Sequence, residues 1–582
     1  MKSKGKYSSN KNNSGKEPER DDTQGKITKS NKTNSRNKRT NNRNNRGRTN
    51  KRESSSANQG TYDSSDNDAS WYMRYPELAN DASKIPFTTP LGKYPDVELN
   101  AGTAGANFGK EAFAVPGILG VEWFPTIGQS SHQNSPINIV SREVYSFIRH
   151  ANSGHSNYDA PDMMMYILAM DSLYSFYAAM VRAYGVMMLY SGMNRYMPRT
   201  LVKALGFDFD DLSQNLSQFR WLINQVAYKL TAMYVPAGMS YFERHIWMNS
   251  GIYLDSSSYK AQTYVFKQSA YYKYSATAAN DYAALLEYTV VPENLTVHAC
   301  TQFVDSLLNP ILADEDMNII SGDMLRAFGA DNLFTVSPIS EDYVVVPTYS
   351  QEVLSQIQNL TVMGFPDKDK STGWGDKANI VQRIKTDTFT PGIYQDLTFK
   401  EQCGVRINDN YVVANAWTYT CLDKFITMLS DNPSSDEIMV ASRLTNIADV
   451  FGIEEFDVEG TFNIAATYGC SSLSTEVVSR MKVYSMDSDN KLVAGAIHQR
   501  WVNGRTDIES LAEISAFDWH PTIYLMDKDE KNVKGVTFKG MLLETNNFTT
   551  LDKADLARLH ETALISEFYI PDVRKLSAKP NK

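Results

Sequence analysis

The chain of 582 residues is several domain equivalents long, and its 58 Lys and Arg against 67 Asp and Glu give a net charge of −9. Four cysteines, Cys300, Cys403, Cys421 and Cys470, contain no CxxC pair, which excludes a disulfide scaffold and a zinc ribbon and fits a reducing compartment. The charge is segregated: residues 1–52 hold 17 Lys and Arg against 4 acids, a net of +13, so the remaining 530 residues carry −22.

Residues 1–52 also include 11 Asn and only three apolar residues, Met1, Tyr7 and Ile27. That is too little apolar surface to offset the entropy of ordering, so a disordered basic arm is expected. The arm lacks the apolar stretch of a secretory signal and is too irregular for an amphipathic transit helix, so neither secretion nor organelle import is expected. No acid interrupts Asn31 to Arg52. Lys32, Arg36, Lys38, Arg39, Arg43, Arg46, Arg48, Lys51 and Arg52 are therefore candidate RNA contacts, acting on phosphates through charge and counterion release. With Tyr7 the one aromatic among them, base stacking is minor and binding is expected to be nonspecific. The alternative is a solubilising tail with no partner.

Residues 53–70 stay polar but turn acidic, the pattern of a linker. From 71 to 140 the many Pro and Gly residues and short apolar patches predict an extended segment wrapped over other elements. Ser141 then precedes Val144, Phe147, Ile148 and Ala151 at helical spacing, with Gly154 as a stop. Asp159 and Pro161 open a long apolar run to Tyr190 that could be mistaken for a membrane span. Asp171 and Arg182 inside it favour a buried core helix, since each is costly at mid-bilayer.

Phe209, Leu212, Leu216, Phe219, Ile223, Val226, Leu230 and Met233 recur at spacings of three and four. This is a heptad seam on one helix of about seven turns, capped by Asp208 and ended before Pro236. The seam residues Leu212, Leu216, Phe219, Ile223, Val226 and Leu230 serve either the subunit core or an interface between subunits. Ser240 and Glu243 suggest a capping box on a short helix ending before Gly251.

Beyond residue 260, helices are expected near 298–312, 349–359, 435–450 and 550–569. Strands are expected at Tyr343–Pro347, Tyr411–Thr420, Thr461–Gly469 and Thr522–Asp527, and an exposed loop at Phe365–Asn379. The fold class is α+β, mainly α-helical.

Catalytic signatures are missing. Gly102–Glu111 approaches a phosphate-binding loop but has Ala104 and Glu111 where the first Gly and the hydroxyl belong, and there is no HExxH, GxSxG or helix-opening GxGxxG. His150 and His155 are the densest histidine pair, and Asp527 and Asp529 have calcium-loop spacing without the Gly and distal Glu. Both are read as structural, so neither metal nor cofactor is expected.

A long acidic body rich in aromatics, with one basic arm, suits a packaging protein: the body builds a shell and the arm holds a genome. Val115–Gly128, Ser135–Phe176 and Ala261–Tyr274 resemble the shell region of picobirnavirus capsid proteins. The resemblance implies a mainly helical subunit that dimerises and closes an icosahedral shell around double-stranded RNA, with a projecting domain outside. The implied organisation is a basic arm at 1–52, a linker at 53–70, a wrapping segment at 71–140 and a helical shell domain at 141–360. A mixed or β-containing projecting domain at 361–500 and a return to the shell at 501–582 complete it. The expected partners are further copies of itself, viral double-stranded RNA and a host membrane met as the virion enters the cell. The expected location is the virion, with host cytoplasm during assembly. The rival readings are a cytoplasmic RNA-binding protein that never assembles and an enzyme with an unfamiliar site.

Self-cleavage known in the resembling family, together with the acidic linker, makes Asn58, Asn67 and Asn100 candidates for a cut that frees the arm. An Asn side-chain amide can attack its own backbone carbonyl when packing holds the geometry and a carboxylate moves protons. The plain alternative is a flexible linker in an Asn-rich stretch.

Overall fold

The computed structural model describes residues 74–85 and 91, and residues 117–569 with short interruptions. Two compact units divide the chain, Met1–Phe87 and Thr88–Lys582. In the first, helix α1 (Pro76–Ser83) opens on a proline, whose missing N–H would be unsatisfied at that position anyway, and buries none of its residues.

In the second unit, β1 (Ile118–Pro125) leads into helices α2 (Pro136–Ala151), α3 (Ala160–Met187), α4 (Met197–Ala204), α5 (Phe209–Gln214), α6 (Leu216–Leu230) and α7 (Ser240–Ser250). Strands β2 (Tyr253–Leu254), β3 (Thr263–Gln268), β4 (Ala270–Ser275) and β5 (Tyr282–Val290) follow. Next come α8 (Val297–Leu312), α9 (Glu315–Phe328), β6 (Thr348–Tyr349) and α10 (Gln351–Gln358). Short strands β7 (Ile380–Arg383) and β8 (Gly392–Tyr394) precede β9 (Thr398–Ile407), β10 (Asn410–Val412), β11 (Trp417–Tyr419) and β12 (Phe425–Thr427). Helix α11 (Ser435–Ala441) leads to β13 (Ile447–Val458), β14 (Thr461–Ser472), β15 (Glu476–Met486) and β16 (Leu492–His498). The described chain closes with β17 (Ile523–Lys528), β18 (Val536–Leu542), β19 (Phe548–Thr550) and helix α12 (Lys553–Glu567).

One six-stranded sheet, in the order β16-β15-β1-β3-β2-β6, organises the body. Strand β1 is parallel to β3 and antiparallel to β15, with a bulge between Glu122 and Trp123. All eight of its residues are buried, which explains its near-continuous apolar sequence. Alternation along the pleat sends Ile118 and Phe124 into the main helical core, while Leu119, Val121 and Trp123 enter a second core shared with Val478, Met481, Val483 and Trp519.

Helix α3 is the axis of the main core. It is apolar on every side and buried almost throughout, as a helix enclosed by others must be. It is long and apolar enough to cross a membrane, yet 94% of its most apolar window is buried inside the chain. The backbone N–H of Asp159 donates to the Asp162 carboxylate (2.6 Å), closing its first turn.

Several elements depart from expectation for local reasons. The first long helix starts at Pro136 rather than near Ser141, because proline is well suited to a first turn; the Ser141 hydroxyl instead donates to the Ala160 carbonyl (2.7 Å). The single helix expected over the seam is two helices, α5 and α6, broken at Asn215. There the Asn215 side chain donates to the Asp211 carbonyl (3.1 Å), and the second Asp211 carboxylate oxygen accepts the Val297 N–H (2.7 Å), so side chains compete with the helical ladder. Ser240 is the first residue of α7 rather than its cap, which is Met239.

The helix expected over 435–450 stops at Ala441, and the chain re-enters strand at Ile447. Tyr343–Pro347 is irregular, with strand only at Thr348–Tyr349. Tyr411–Thr420 divides between β10 and β11, which belong to different sheets. Within the segment expected to wrap the surface, β1 is central in its sheet. Within the segment expected to project, β15 pairs with β1, and β11 pairs across the expected boundary at 500 with β17.

Candidate functional site

The arm residues Lys32, Arg36, Lys38, Arg39, Arg43, Arg46, Arg48, Lys51 and Arg52 lie outside the described residues, as do Asn58, Asn67, Asn100 and the Gly102–Glu111 loop. His155 and Asp529 are also outside them. His150 sits at the exposed end of α2, with its Nδ1 2.6 Å from the Ser146 carbonyl, and no metal-binding group of His, Cys, Asp or Glu occurs among the described residues. The seam residues Leu212, Phe219, Ile223, Val226 and Leu230 are buried in the main core, with Leu216 partly buried against it. The seam is therefore used within the subunit, where α6 packs on α3 and α8.

The structure instead joins ionisable groups that are far apart in sequence. Asp171, in the middle of α3, faces His245 on α7: Asp171 Oδ2 lies 2.8 Å from His245 Nδ1, and both side chains are buried. The other imidazole nitrogen is 3.5 Å from Glu476 Oε1 at the start of β15. The same Glu476 oxygen accepts from Arg244 Nε (2.8 Å) and from the Thr475 hydroxyl (2.8 Å). Arg443, in the turn before β13, donates to Thr475 Oγ1 (2.6 Å) and to Glu567 Oε1 (2.8 Å) at the end of α12. His560, one helical face earlier on α12, has its Nε2 2.8 Å from the Thr445 carbonyl.

Burial alone would lower the His245 pKa, but Asp171 and then Glu476 outweigh it and raise the ring to about 9, so it is an imidazolium at neutral pH. Burial raises Asp171, and His245 opposes that. Glu476 is held well below its ordinary range because Arg244 and His245 outweigh its desolvation. His560 is different: burial, with Arg443 beside it, drives it down to about 3, so it is neutral. An Asp–His–Glu arrangement of this kind could suggest acid–base chemistry, but His245 and Glu476 have zero exposure and cannot meet a substrate in solution. The cluster ties α3, α7, β15, the turn before β13 and α12 into one body.

A second cluster lies on the central sheet. Glu122 faces its register partners, Lys267 on β3 and Arg480 on β15. Glu122 Oε1 is 3.1 Å from both Lys267 Nζ and Lys482 Nζ, and Arg480 Nε donates to Oε2. Burial alone would raise this carboxyl, but Lys267 and Arg480 outweigh it and hold it at about 2. Glu293 extends the cluster toward solvent through Arg480 (3.1 Å) and Lys482 (3.0 Å).

None of these pairings is written in local sequence, since Asp171 and His245 are 74 residues apart and Glu122 and Arg480 are 358 apart. One signal was present: a charged residue within an all-apolar helix requires a buried partner. Arg182 of α3 obeys the same rule, donating to the Met248 and Gly251 carbonyls (3.1 Å each) and to Phe266 O (2.7 Å).

The family model described as picobirnavirus capsid protein matches residues 71–499. The chain is 31% identical over 555 residues to the capsid protein precursor of Human picobirnavirus (strain Human/Thailand/Hy005102/-), spanning 90% of this chain and 97% of that protein. Its fold is similar to a solved structure described as the X-ray crystallographic structure of the picobirnavirus capsid, with a TM-score of 0.69 at 21% identity, covering 88% of this chain and 100% of that one.

Proposed function

This chain belongs to the picobirnavirus capsid protein family, a structural component of the virion, and from that premise we propose that it dimerises and assembles into an icosahedral shell enclosing double-stranded RNA, with residues 1–52 contacting the RNA. The observation that carries this reading is the segregation of charge, +13 on the arm against −22 on the body. A polycation neutralises phosphates without a groove or a base code, while an acidic body repels RNA and leaves that task to the arm. The body's cross-tied core suits a part that must hold its shape when loaded by its neighbours.

In this reading the sheets β10-β9-β14-β13 and β11-β17-β18 form the projecting part, a span that starts and ends later than 361–500. The shell is assembled in host cytoplasm, and a host membrane is met as the virion enters the cell. The relative's designation as a precursor supports a cut between arm and body at Asn58, Asn67 or Asn100. The side-chain amide nitrogen attacks the carbonyl carbon of the same residue, the peptide C–N bond breaks, and a proton passes to the departing amine, leaving a C-terminal succinimide.

Deletion of residues 1–52 tests the reading. Particles should still form, because the segment has no apolar surface with which to build a core, and they should lose most of their absorbance at 260 nm. Truncated particles that package RNA at the original level would sink the arm's role. A chain that sediments only as a monomer under all conditions would instead favour an RNA-binding protein that never assembles. Intact mass of aged particles reads the cleavage, and a single full-length species would exclude it.

A further inference from the structure

Helix α6 has two faces of opposite use. Its inner face is the buried stripe of Phe219, Ile223, Val226 and Leu230. Its outer crest carries Trp221 and Tyr228, seven residues apart and so on one side of the helix, with 65% and 61% of their surfaces exposed. Two large aromatic rings held out to water on one ridge are costly for a subunit that stays alone.

The surroundings of the crest are ordered and carry charges of both signs. On one flank, Asn224 accepts from the Ile339 N–H (2.8 Å), and Arg220 lies 3.9 Å from Glu341, fixing an irregular stretch of chain beside the helix. That chain turns at Glu341–Asp342 and goes on to expose Val344 and Val346 (41% and 63%). At the far end of the helix, Lys229 lies 3.7 Å from Asp305 of α8. The patch thus has an aromatic centre and a charged rim of two cations, Arg220 and Lys229, and three anions, Asp305, Glu341 and the exposed Asp342, the anatomy of a protein–protein contact.

We propose that this crest, with Trp221 and Tyr228 at its centre, is a contact surface between copies of this chain. The inference rests on the assembly reading above and names the surface that reading requires. Charge selects the occupant. A rim with three anions and two cations offers no attraction to RNA or to an anionic membrane. Two bodies of −22 repel over most of their surface, so they meet most easily where cations stand among the anions. Under a two-fold axis the rim is self-complementary, because Glu341, which is 86% exposed, can reach the second copy's Arg220 or Lys229.

Two measurements on the full chain test this. Hydroxyl-radical labelling of wild-type particles and of subunits dissociated from them, read by mass spectrometry, should show labelling at Trp221 and Tyr228 falling at least fivefold on assembly. Equal labelling in both states would overturn the proposal whatever the variants do. The double variant W221A/Y228A should keep the wild-type unfolding midpoint and fail to sediment as dimers or particles. Normal assembly by that variant would also overturn it. If it fails to fold, the labelling of wild-type particles decides alone. If wild-type chains never associate, the assembly reading itself fails, a result distinct from particles in which Trp221 remains fully labelled.

Discussion

Asp171 Oδ2 and His245 Nδ1 lie 2.8 Å apart with no access to solvent, joining the centre of α3 to α7 by a charged hydrogen bond. Because Asp171 is the first of the groups that raise the ring to about 9, removing its charge leaves the buried ring either to give up its proton or to keep it with only Glu476 in support. Asp171→Asn should lower stability by about 3–5 kcal/mol, the cost of breaking one partner out of a buried pair, read as a shift in the urea midpoint at constant m-value.

The pH dependence of that pair has a definite sign. A raised native pKa means that its contribution is complete below the ordinary histidine value of 6.5 and is lost as pH rises through about 9. Wild-type stability should therefore decline between pH 6.5 and 9, and His245→Gln should be weaker at pH 6 while losing much of that decline. A variant that keeps the full alkaline slope would place the titrating group elsewhere.

Glu122 works in the opposite direction. Held at about 2 against an ordinary value of 4.5, it contributes fully above pH 4.5 and is lost as pH falls toward 2. Glu122→Gln should lower stability at pH 7 by about 3 kcal/mol, because Lys267 and Lys482 stay buried with reduced compensation. Acid titrations of both proteins should converge near pH 2.

His560 makes the attachment of α12 sensitive to mild acid. Pushed down to about 3, the ring contributes fully above pH 6.5 and is lost as pH falls toward 3, because the unfolded ring takes a proton that the buried one refuses. Arg443, Arg244 and Glu476 act on it, and Arg443 also holds Glu567 of the same helix. Hydrogen exchange over 553–567 should accelerate from pH 7 to pH 5 in the wild type and much less in His560→Gln, which can still donate to the Thr445 carbonyl.

Gly185 lies where α3 meets the extended segment after Glu341. A methyl group there would sit 2.5 Å from Val345 Cγ2 and 2.8 Å from the Val345 nitrogen. Gly185→Ala should cost about 1–3 kcal/mol through overpacking against backbone, seen as a lower thermal midpoint.

Ile223 and Trp221 are two residues apart on α6 and should respond differently. Ile223→Asp buries an unpaired charge in the main core and should yield aggregated or unfolded protein, at a cost of several kcal/mol. Trp221→Glu places a charge in water and should leave the fold intact, as circular dichroism at matched concentration would show.

The sequence alone was enough for much of what depends on neighbours along the chain. The apolar run of α3, its acidic start at Asp159, the stripe from Leu212 to Leu230 and helices α8, α10 and α12 all follow from spacing and capping, because a helix closes its bonds within four residues. Even the break at Asn215 had a local cause, though Asp211 and Asn215 reveal it only when the Val297 N–H arrives to occupy the carboxylate. Tertiary structure decided the rest. That β1 pairs with β3 and with β15, more than 350 residues away, depends on which apolar faces meet after collapse, and strand pairing carries no address in local sequence. The same is true of the charges: Asp171 announces that it needs a partner, but only the approach of α7 supplies His245. Whether an apolar stripe is core or contact was likewise a three-dimensional question, since periodicity marks a face but not its neighbour. Here α3 and α8 cover the stripe, and Trp221 and Tyr228 are left outside.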